Sequence, residues 1–210
     1  SINAGEMNVL GAVNTFHDTT FVWLEKIDAP QPPNGKIISG PYKLGPFLMP
    51  MTKKVELNFT IFDPSKLSSA GIFYFDKKKE EWIYLMTEIN NQKSQLSTRI
   101  LSGEIFSVIQ EFTPPKLTSI YPNIDATYRQ RDLNYLEFFV DDDFSGIDGE
   151  NNIVIKIDDG KPLIFEYNIH QKRVYYPFDD QFITGSHTLH IIAKDNVGNE
   201  NIIRGSFQIK

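Results

Sequence analysis

The sequence predicts an all-β protein built as two consecutive β-sandwich domains. Apolar and polar residues alternate with a period of two along most apolar segments, as in strands that have one buried face. Aromatic residues make up 13% of the 210 residues, and the 16 Phe and 9 Tyr favour strands. An apolar stripe at helical spacing never persists for three turns, so we expect helical residues to stay below about a tenth of the chain.

The first half of the chain contains several segments with strand-like alternation. In the clearest of them Val55, Leu57 and Phe59 share one face, while polar residues occupy the other. The strands predicted for this half are 53–62, 70–76, 81–87 and 103–112. Between the first two, Asp63 and Pro64 predict a short helical turn over 63–69 that Asp63 caps. The first ~15 residues are weakly patterned, which predicts an N-terminal arm.

The second half shows the same alternation after a stiff joint. Thr113-Pro114-Pro115 lacks two backbone donors and favours an extended chain, so we place the domain boundary there, between 1–112 and 113–210. The strands predicted after it are 116–121, 135–141, 153–157, 189–193 and 203–209. Turn signals separate these short strands at the spacing typical of a β-sandwich in each half.

Charge and composition exclude several classes of function. The chain has 21 basic and 27 acidic residues, a net charge of −6, which argues against nucleic acid as a partner. No apolar run approaches the ~20 residues of a transmembrane helix. The absence of Cys excludes thiol chemistry and Cys-ligated zinc. The sequence contains no secretion-signal pattern, so any signal is expected to lie outside this chain.

The residue types that carry catalysis are present without the spacing that catalysis needs. His187 and His190 lie three apart in a predicted strand and therefore face opposite sides of the sheet. We interpret the four histidines as solvated or edge residues. Ser145 lacks the preceding glycine of a nucleophile elbow, and no glycine-rich loop joins a strand to a helix. Neighbouring carboxylates fall in turn-like segments, so we expect no catalytic residues and no enzymatic activity.

Two acidic loops suggest calcium as the one candidate cofactor. Loop oxygens of Asp and Asn can supply the six to eight ligands that Ca²⁺ takes, although the EF-hand spacing is absent. The candidate ligands are Asp141, Asp143, Asp148 and Asp195. The alternative is that these side chains accept hydrogen bonds from nearby backbone amides and hold no ion.

Exposed aromatic residues on a sheet are the feature that could bind a sugar. Tyr121, Tyr128, Tyr175 and Tyr176 lie in less apolar surroundings than the other aromatics, and are the candidates for it. The alternative interpretation is that they are ordinary sheet residues, because strands favour aromatics in any case. Trp23 and Trp82 lie within apolar strands and are predicted core residues.

Two motifs in the second half resemble a known class of module. The segment 140–148, V-D-D-D-F-S-G-I-D, and the segment 193–199, A-K-D-N-V-G-N, are similar to a loop and a terminal hairpin of bacterial immunoglobulin-like domains. Such modules follow extracytoplasmic lysostaphin-type metallopeptidases and occur in large surface proteins. The first half, with G-P-Y-K-L-G-P at 40–46 and F-Y-F-D at 73–76, resembles β-sandwich domains related to those of ankyrins and netrin receptors.

The resemblance implies an immunoglobulin-like fold for 113–210 and a non-catalytic role. We expect an accessory module, acting as a spacer, adhesion or positioning unit of a larger bacterial surface or secreted protein. Its partners would then be other domains of the parent chain and a surface protein or a glycan, in an extracytoplasmic location. A carbohydrate-binding module that targets a glycan or cell-wall polymer is the alternative.

Overall fold

The computed structural model describes residues 1–179 and 181–210, and the chain divides into two compact units, Ser1–Thr113 and Pro114–Lys210. Strands account for 54% and helical turns for 5% of the chain, which confirms the all-β prediction. Within the described ranges there is no helix of the length and apolarity that a bilayer crossing requires.

The first unit, described throughout, is a sandwich of two five-stranded antiparallel sheets. Their strand orders are β1-β2-β5-β9-β8 and β3-β4-β10-β6-β7. The strands are β1 (Ile2–Ala4), β2 (Met7–Leu10), β3 (Trp23–Lys26), β4 (Gly35–Gly45), β5 (Pro50–Thr60), β6 (Ala70–Asp76), β7 (Glu81–Leu85), β8 (Glu88–Asn90), β9 (Gln95–Ser102) and β10 (Ile105–Glu111).

The core of the first unit forms where the alternation predicted it. Val55, Leu57 and Phe59 of β5 are buried, and they pack in one cluster with Ile72 of β6 and Phe106 of β10 from the facing sheet. The short helical turn Pro64–Leu67 is also confirmed, since the Asp63 carboxylate accepts a hydrogen bond from the Ser65 amide at 3.1 Å.

The N-terminal residues differ from the predicted arm. β1 and β2 form a hairpin that extends the sheet through pairing of Met7 with Phe59 and Val9 with Leu57. Met7 and Val9 are buried in the core of the unit. Ile2 and Ala4 of β1 pack in part against the same core, but the two strands have only three and four residues, so each is too short for its periodicity to stand out.

In the second unit the described residues form two four-stranded sheets. Their orders are β11-β13-β16-β15 and β12-β18-β17-β14, with β12 parallel to β18 and every other pair antiparallel. The strands are β11 (Lys116–Tyr121), β12 (Thr127–Tyr128), β13 (Tyr135–Asp141), β14 (Ile153–Ile157), β15 (Glu166–Asn168), β16 (Arg173–Pro177), β17 (Gly185–Lys194) and β18 (Glu200–Ile209).

This strand order is immunoglobulin-like. In the immunoglobulin arrangement the first, second, fifth and fourth strands share one sheet, and the third, sixth and seventh share the other. The second unit follows it, with β12 continuing β11 on the opposite sheet. Phe138 of β13 and Ile191 of β17 are fully buried in one core between the two sheets.

Candidate functional site

The acidic loop between β17 and β18 is organised around a buried carboxylate. Asp195 is only 3% exposed. One of its oxygens accepts hydrogen bonds from the amides of Val197 at 3.0 Å and Asn199 at 2.8 Å, and the other accepts from Asn199 Nδ2 at 2.7 Å. Burial raises the pKa of Asp195, and the hydrogen bonds from Asn199 only partly oppose that rise. Asp195 therefore closes its own turn.

A single asparagine ties this loop to the acidic loop that follows β13. Asn196 Nδ2 donates to the Ser145 carbonyl at 3.0 Å and to Asp148 Oδ1 at 2.9 Å, and the Asn196 amide donates to the Gly146 carbonyl at 3.0 Å. Gly146 and Gly198 have φ of 82° and 96°, a region that glycine enters without a Cβ penalty. The two motifs thus form one interlocked end of the sandwich.

The four calcium candidates are engaged by donors of the protein itself. Asp141 pairs with Lys172, and Asp143 lies 3.7 Å from Lys116 Nζ. Asp148 and Asp195 accept the amide hydrogen bonds described above. Across residues 1–179 and 181–210, no three of these four carboxylates bring their oxygens within 4.8 Å of one another. The calcium site stays a prediction, and the hydrogen bonds favour its alternative.

We therefore expect excess Ca²⁺ to leave the melting temperature unchanged. Calcium at a free concentration 100 times the dissociation constant of the site would stabilise the folded chain by about 2.7 kcal/mol, which a thermal scan resolves easily. The measurement compares Ca²⁺ with Mg²⁺ and with a chelator at equal ionic strength. A calcium-specific rise that Asp148→Asn abolishes would restore the predicted site.

His187 is buried, contrary to its interpretation as a solvated or edge residue. Its Nδ1 lies 2.9 Å from Asp158 Oδ2 and its Nε2 lies 2.8 Å from the Ile183 carbonyl. Both partners are acceptors, so a ring that satisfies both carries a proton on each nitrogen. The ring also contacts those of Phe182 and Phe207, at centroid distances of 4.9 and 5.6 Å. The inward-pointing apolar residues of β17 occupy every second position, and His187 belongs to that series. This is the sequence signal that was missed.

These contacts shift the pKa values of the pair in opposite directions. Burial alone would lower the pKa of His187, but the hydrogen bonds to Ile183 and Asp158 outweigh it and raise the pKa above its ordinary value. Burial would likewise raise the pKa of Asp158, but the hydrogen bonds from His187 and the Thr188 amide lower it. The charged pair is therefore the favoured state when the unit is folded.

Stability is accordingly expected to fall as the pH rises above about 6.5 and through the raised folded-state pKa of His187. An unfolded His titrates near 6.5, so the contribution of His187 is complete below that pH and is lost through the higher folded-state pKa. The contribution of Asp158 is present above about pH 3.9 and is lost only as the pH falls through its lowered pKa. Urea unfolding at several pH values measures the decline.

The variant His187→Gln should remove most of that decline, and His170→Gln is the matched control on an exposed turn. His190, whose pKa is lowered by burial and by Arg204, has the opposite effect: its contribution to stability grows as the pH rises from its lowered folded-state pKa towards the unfolded value of about 6.5, so it cannot cause a decline. An equal decline in the wild type and His187→Gln would show that other groups control the pH dependence.

Four tyrosines of the second unit form a series of contacting rings that runs from β12 across β11 and β13 to β16, and we call them the tyrosine row: Tyr121, Tyr128, Tyr135 and Tyr175. Strand register places Tyr121 and Tyr175 on either side of Glu137, with Tyr135 two residues before it on the central strand. Three of the four predicted aromatics thus come together. The fourth, Tyr176, pairs with buried Leu136 and lies outside the row, although Tyr121 and Tyr128 also pack in part against the core.

The rings of the tyrosine row contact one another in sequence. Tyr121 meets Tyr128 edge to face at 5.4 Å and Tyr135 at 4.8 Å, and Tyr135 stacks on Tyr175 at 5.7 Å with 30° between the planes. The Arg173 guanidinium lies 4.9 Å above the far side of this series, over the Tyr175 ring. Offset and edge-to-face contacts at such distances are the arrangements that aromatic pairs prefer, so each ring of the row packs on at least one other.

Hydrogen bonds and an ion pair fix both ends of the row. Tyr121 Oη donates to the Asp132 carbonyl at 3.2 Å, and Tyr128 Oη accepts from the Asn123 amide at 2.8 Å. At the other end Arg173 Nε donates to Glu137 Oε2 at 2.7 Å, and the Nη2 group contacts the same oxygen. Both ends of the row are therefore held by contacts of the second unit itself.

Tyr135 is the member that the sequence analysis did not single out. It is 36% exposed, and it lies on the outer face of a correctly predicted strand, since Leu136 and Phe138 occupy the inner face. The alternation alone was thus enough to find it. Its contact with Tyr175 depends on strand pairing, which alternation does not reveal.

The first unit contains a cleft. It has a volume of about 670 Å³, within the range of small-molecule pockets. Its floor is formed by core residues such as Val9, Leu44 and Val55, while His17 and Asp18 lie at its rim. Sequence patterning gave no indication of this cleft, since its walls come from segments distant in the chain.

Comparisons with known proteins give little to add to this geometry. A scan against models of protein families finds no match, and a search of curated proteins finds none either. Among solved structures, dimeric latent PorU from Porphyromonas gingivalis is similar to 75% of this chain, with a TM-score of 0.34 and 12% sequence identity. The match covers 22% of that chain, and a likeness this distant establishes neither a shared fold nor a shared function.

Proposed function

We propose that this chain is a non-catalytic accessory unit of a larger bacterial surface or secreted protein, and that its second unit recognises a partner through the tyrosine row. The observation that carries the proposal is the series of Tyr121, Tyr135 and Tyr175 on an outer sheet face, closed by Arg173. The resemblance of the 140–148 and 193–199 motifs to modules of surface proteins supports the setting.

The composition of this face suits recognition. Tyrosine and arginine are enriched among the residues that carry most of the binding energy in protein interfaces. A tyrosine has only two side-chain torsions, and neighbours already hold these rings in place, so little conformational entropy remains to be lost on binding. An ordered, half-exposed aromatic surface is thus prepared for a partner.

The geometry favours a protein surface over a glycan as that partner. Sugars stack on open aromatic faces, whereas the rings of Tyr121, Tyr135 and Tyr175 pack on one another and Arg173 lies over the last of them. Half-exposed tyrosines beside an arginine match the mixed polar and apolar surface of another domain, in the parent chain or in a separate surface protein. A glycan is the alternative outcome of the test below.

The absence of catalysis is part of the proposal. Three groups with the chemistry of an acid or base are held in structural contacts: His187 with Asp158, and Asp195 with the amides of its own turn. Arg204 Nε donates to His190 Nε2. These contacts support a structural role for each side chain.

The proposal is tested by binding of the whole chain to immobilised probes. The panel contains purified bacterial surface proteins and purified polysaccharides, including peptidoglycan and chitin. We expect saturable binding to at least one protein probe. Binding to polysaccharides alone would favour the carbohydrate-binding alternative, and the absence of saturable binding to either kind of probe would contradict recognition by this face.

A further inference from the structure

Three side chains that can carry positive charge lie in one cross-strand line on the other sheet of the second unit. Register pairs Lys156 of β14 with His190 of β17, and His190 with Arg204 of β18. Side chains directly opposite in an antiparallel sheet lie on the same face with their Cβ atoms about 5 Å apart. We call Lys156, His190 and Arg204 the basic row.

The basic row stands out against the charge of its surroundings. Residues 113–210 contain 10 basic and 15 acidic side chains, a net charge of −5. Yet within the described residues no carboxylate oxygen lies within 4.0 Å of Lys156 Nζ or of the Arg204 guanidinium. Two cations are thus held near each other without a direct counter-ion.

The central histidine keeps the row from carrying a third charge. Arg204 Nε donates to His190 Nε2 at 3.0 Å, which requires that nitrogen to be unprotonated. Burial, followed by the charges of Arg204 and Lys156, lowers the pKa of His190. The imidazole therefore serves as a neutral acceptor that orients the guanidinium.

The row lies along an open groove that also offers hydroxyl groups. The groove has a volume of about 780 Å³, and Thr188 and Ser206, paired with each other in the strand register, line it beside the basic residues. Hydroxyl and cationic donors together are what an oxyanion requires from a binding site.

Carboxylates also line the groove, and the best placed of them is already neutralised. Asp158 accepts from His187 through one oxygen and from the Thr188 amide, at 2.9 Å, through the other. Asp125 and Asp159 are exposed residues of the groove lining. Their charges would weaken the binding of an anion through repulsion, but without forming an ion pair with Lys156 or Arg204.

We propose that this groove binds an oxyanion, a phosphate or carboxylate group, between Lys156 and Arg204, with Thr188 and Ser206 donating hydroxyl hydrogen bonds. Arg204 supplies a planar fork of donors suited to either group, and Lys156 supplies a point charge. The site lies on β14, β17 and β18, whereas Tyr121, Tyr135 and Tyr175 lie on the other sheet, and it does not depend on the recognition proposed for the tyrosine row.

The test is an NMR titration of the whole chain with inorganic phosphate at constant ionic strength. We expect saturable shifts of the amides of 188–190 and 204–206. The pKa of His190 should rise in phosphate relative to chloride, because a bound anion compensates the charges that lower it. A second titration with galacturonate distinguishes a carboxylate source from a phosphate source, and saturation by either probe supports the site.

Variants decide whether the basic row is responsible. Lys156→Gln with Arg204→Gln should weaken binding by at least about tenfold, equivalent to about 1.4 kcal/mol. Lys161→Gln, an exposed residue outside the groove lining, should leave it unchanged. Asp125→Asn removes a repelling charge without touching the row and should strengthen binding.

Two results would overturn the proposal. One is the absence of saturable shifts with either anion, and the other is equal affinity of the double variant and the wild type. The Asp125→Asn variant guards against a misleading loss through misfolding, because a gain in affinity cannot come from unfolding. Equal affinity of that variant and the wild type would also count against a site in this groove.

Discussion

Replacing Phe138 by alanine is expected to destabilise the second unit by about 4 kcal/mol, the usual cost of removing a fully buried phenyl ring. The side chain is 0% exposed and lies between the two sheets in the core cluster. Its neighbour Phe139 is half-buried on the outer face, so Phe139→Ala is a matched control with an expected loss of about 1 kcal/mol.

The free energy of unfolding of both variants is measured by urea unfolding, with hydrogen-exchange mass spectrometry of peptides from the second unit as the detection method. The difference between adjacent phenylalanines tests the register of β13 directly, since a shift by one residue would exchange their faces. Equal losses for Phe138→Ala and Phe139→Ala would contradict the assigned inward and outward positions.

Replacing Asp195 by alanine is expected to cost about 3 kcal/mol, because three donors lose their acceptor in a buried turn. Those donors are the Val197 amide, the Asn199 amide and the Asn199 side chain. The comparison variant is Asp143→Ala, whose exposed ion pair with Lys116 should contribute no more than about 0.5 kcal/mol.

The same unfolding measurement applies to this pair of aspartates. A large loss for Asp195→Ala and a small one for Asp143→Ala would show that the acidic loops act through backbone hydrogen bonds. Comparable losses for both variants, or a loss at Asp195 that appears only when calcium is present, would instead favour the ion-binding interpretation.

Alternation predicted the strands that bury one face completely. β5 and β13 each place three inward apolar residues at every second position, and an alternation of that length seldom arises by chance. β1 and β2 were missed because they have only three and four residues, and their order comes from the pairing of β1 with β2 and of β2 with β5. Short edge strands depend on tertiary partners more than on their own sequence.

The candidate sites show the limit of reasoning from local residues. The sequence predicted the oxygen-rich loops but not the donors that bind their carboxylates. Those donors are distant in the chain, since Lys172 is 31 positions from Asp141 and Asn196 is 48 positions from Asp148. The basic row is likewise invisible in one dimension. Lys156, His190 and Arg204 belong to three strands, and only register brings them into line.

The proposed role of the second unit predicts a contribution from both rings and hydroxyls of the tyrosine row. Tyr135→Phe keeps the ring and its packing on Tyr175 and removes only the hydroxyl, so its effect on partner affinity should be smaller than that of Tyr135→Ser. Circular dichroism and thermal unfolding of each variant establish that the fold is retained before affinities are compared.

The most direct test is the dissociation constant of the protein probe that the chain binds most tightly, measured by isothermal titration calorimetry. Tyr135→Ser with Tyr175→Ser should raise that constant at least about tenfold, while Ile164→Ser, at a 91% exposed position outside the tyrosine row, should leave it unchanged. Equal dissociation constants for the wild type and a correctly folded double variant would contradict recognition through the tyrosine row.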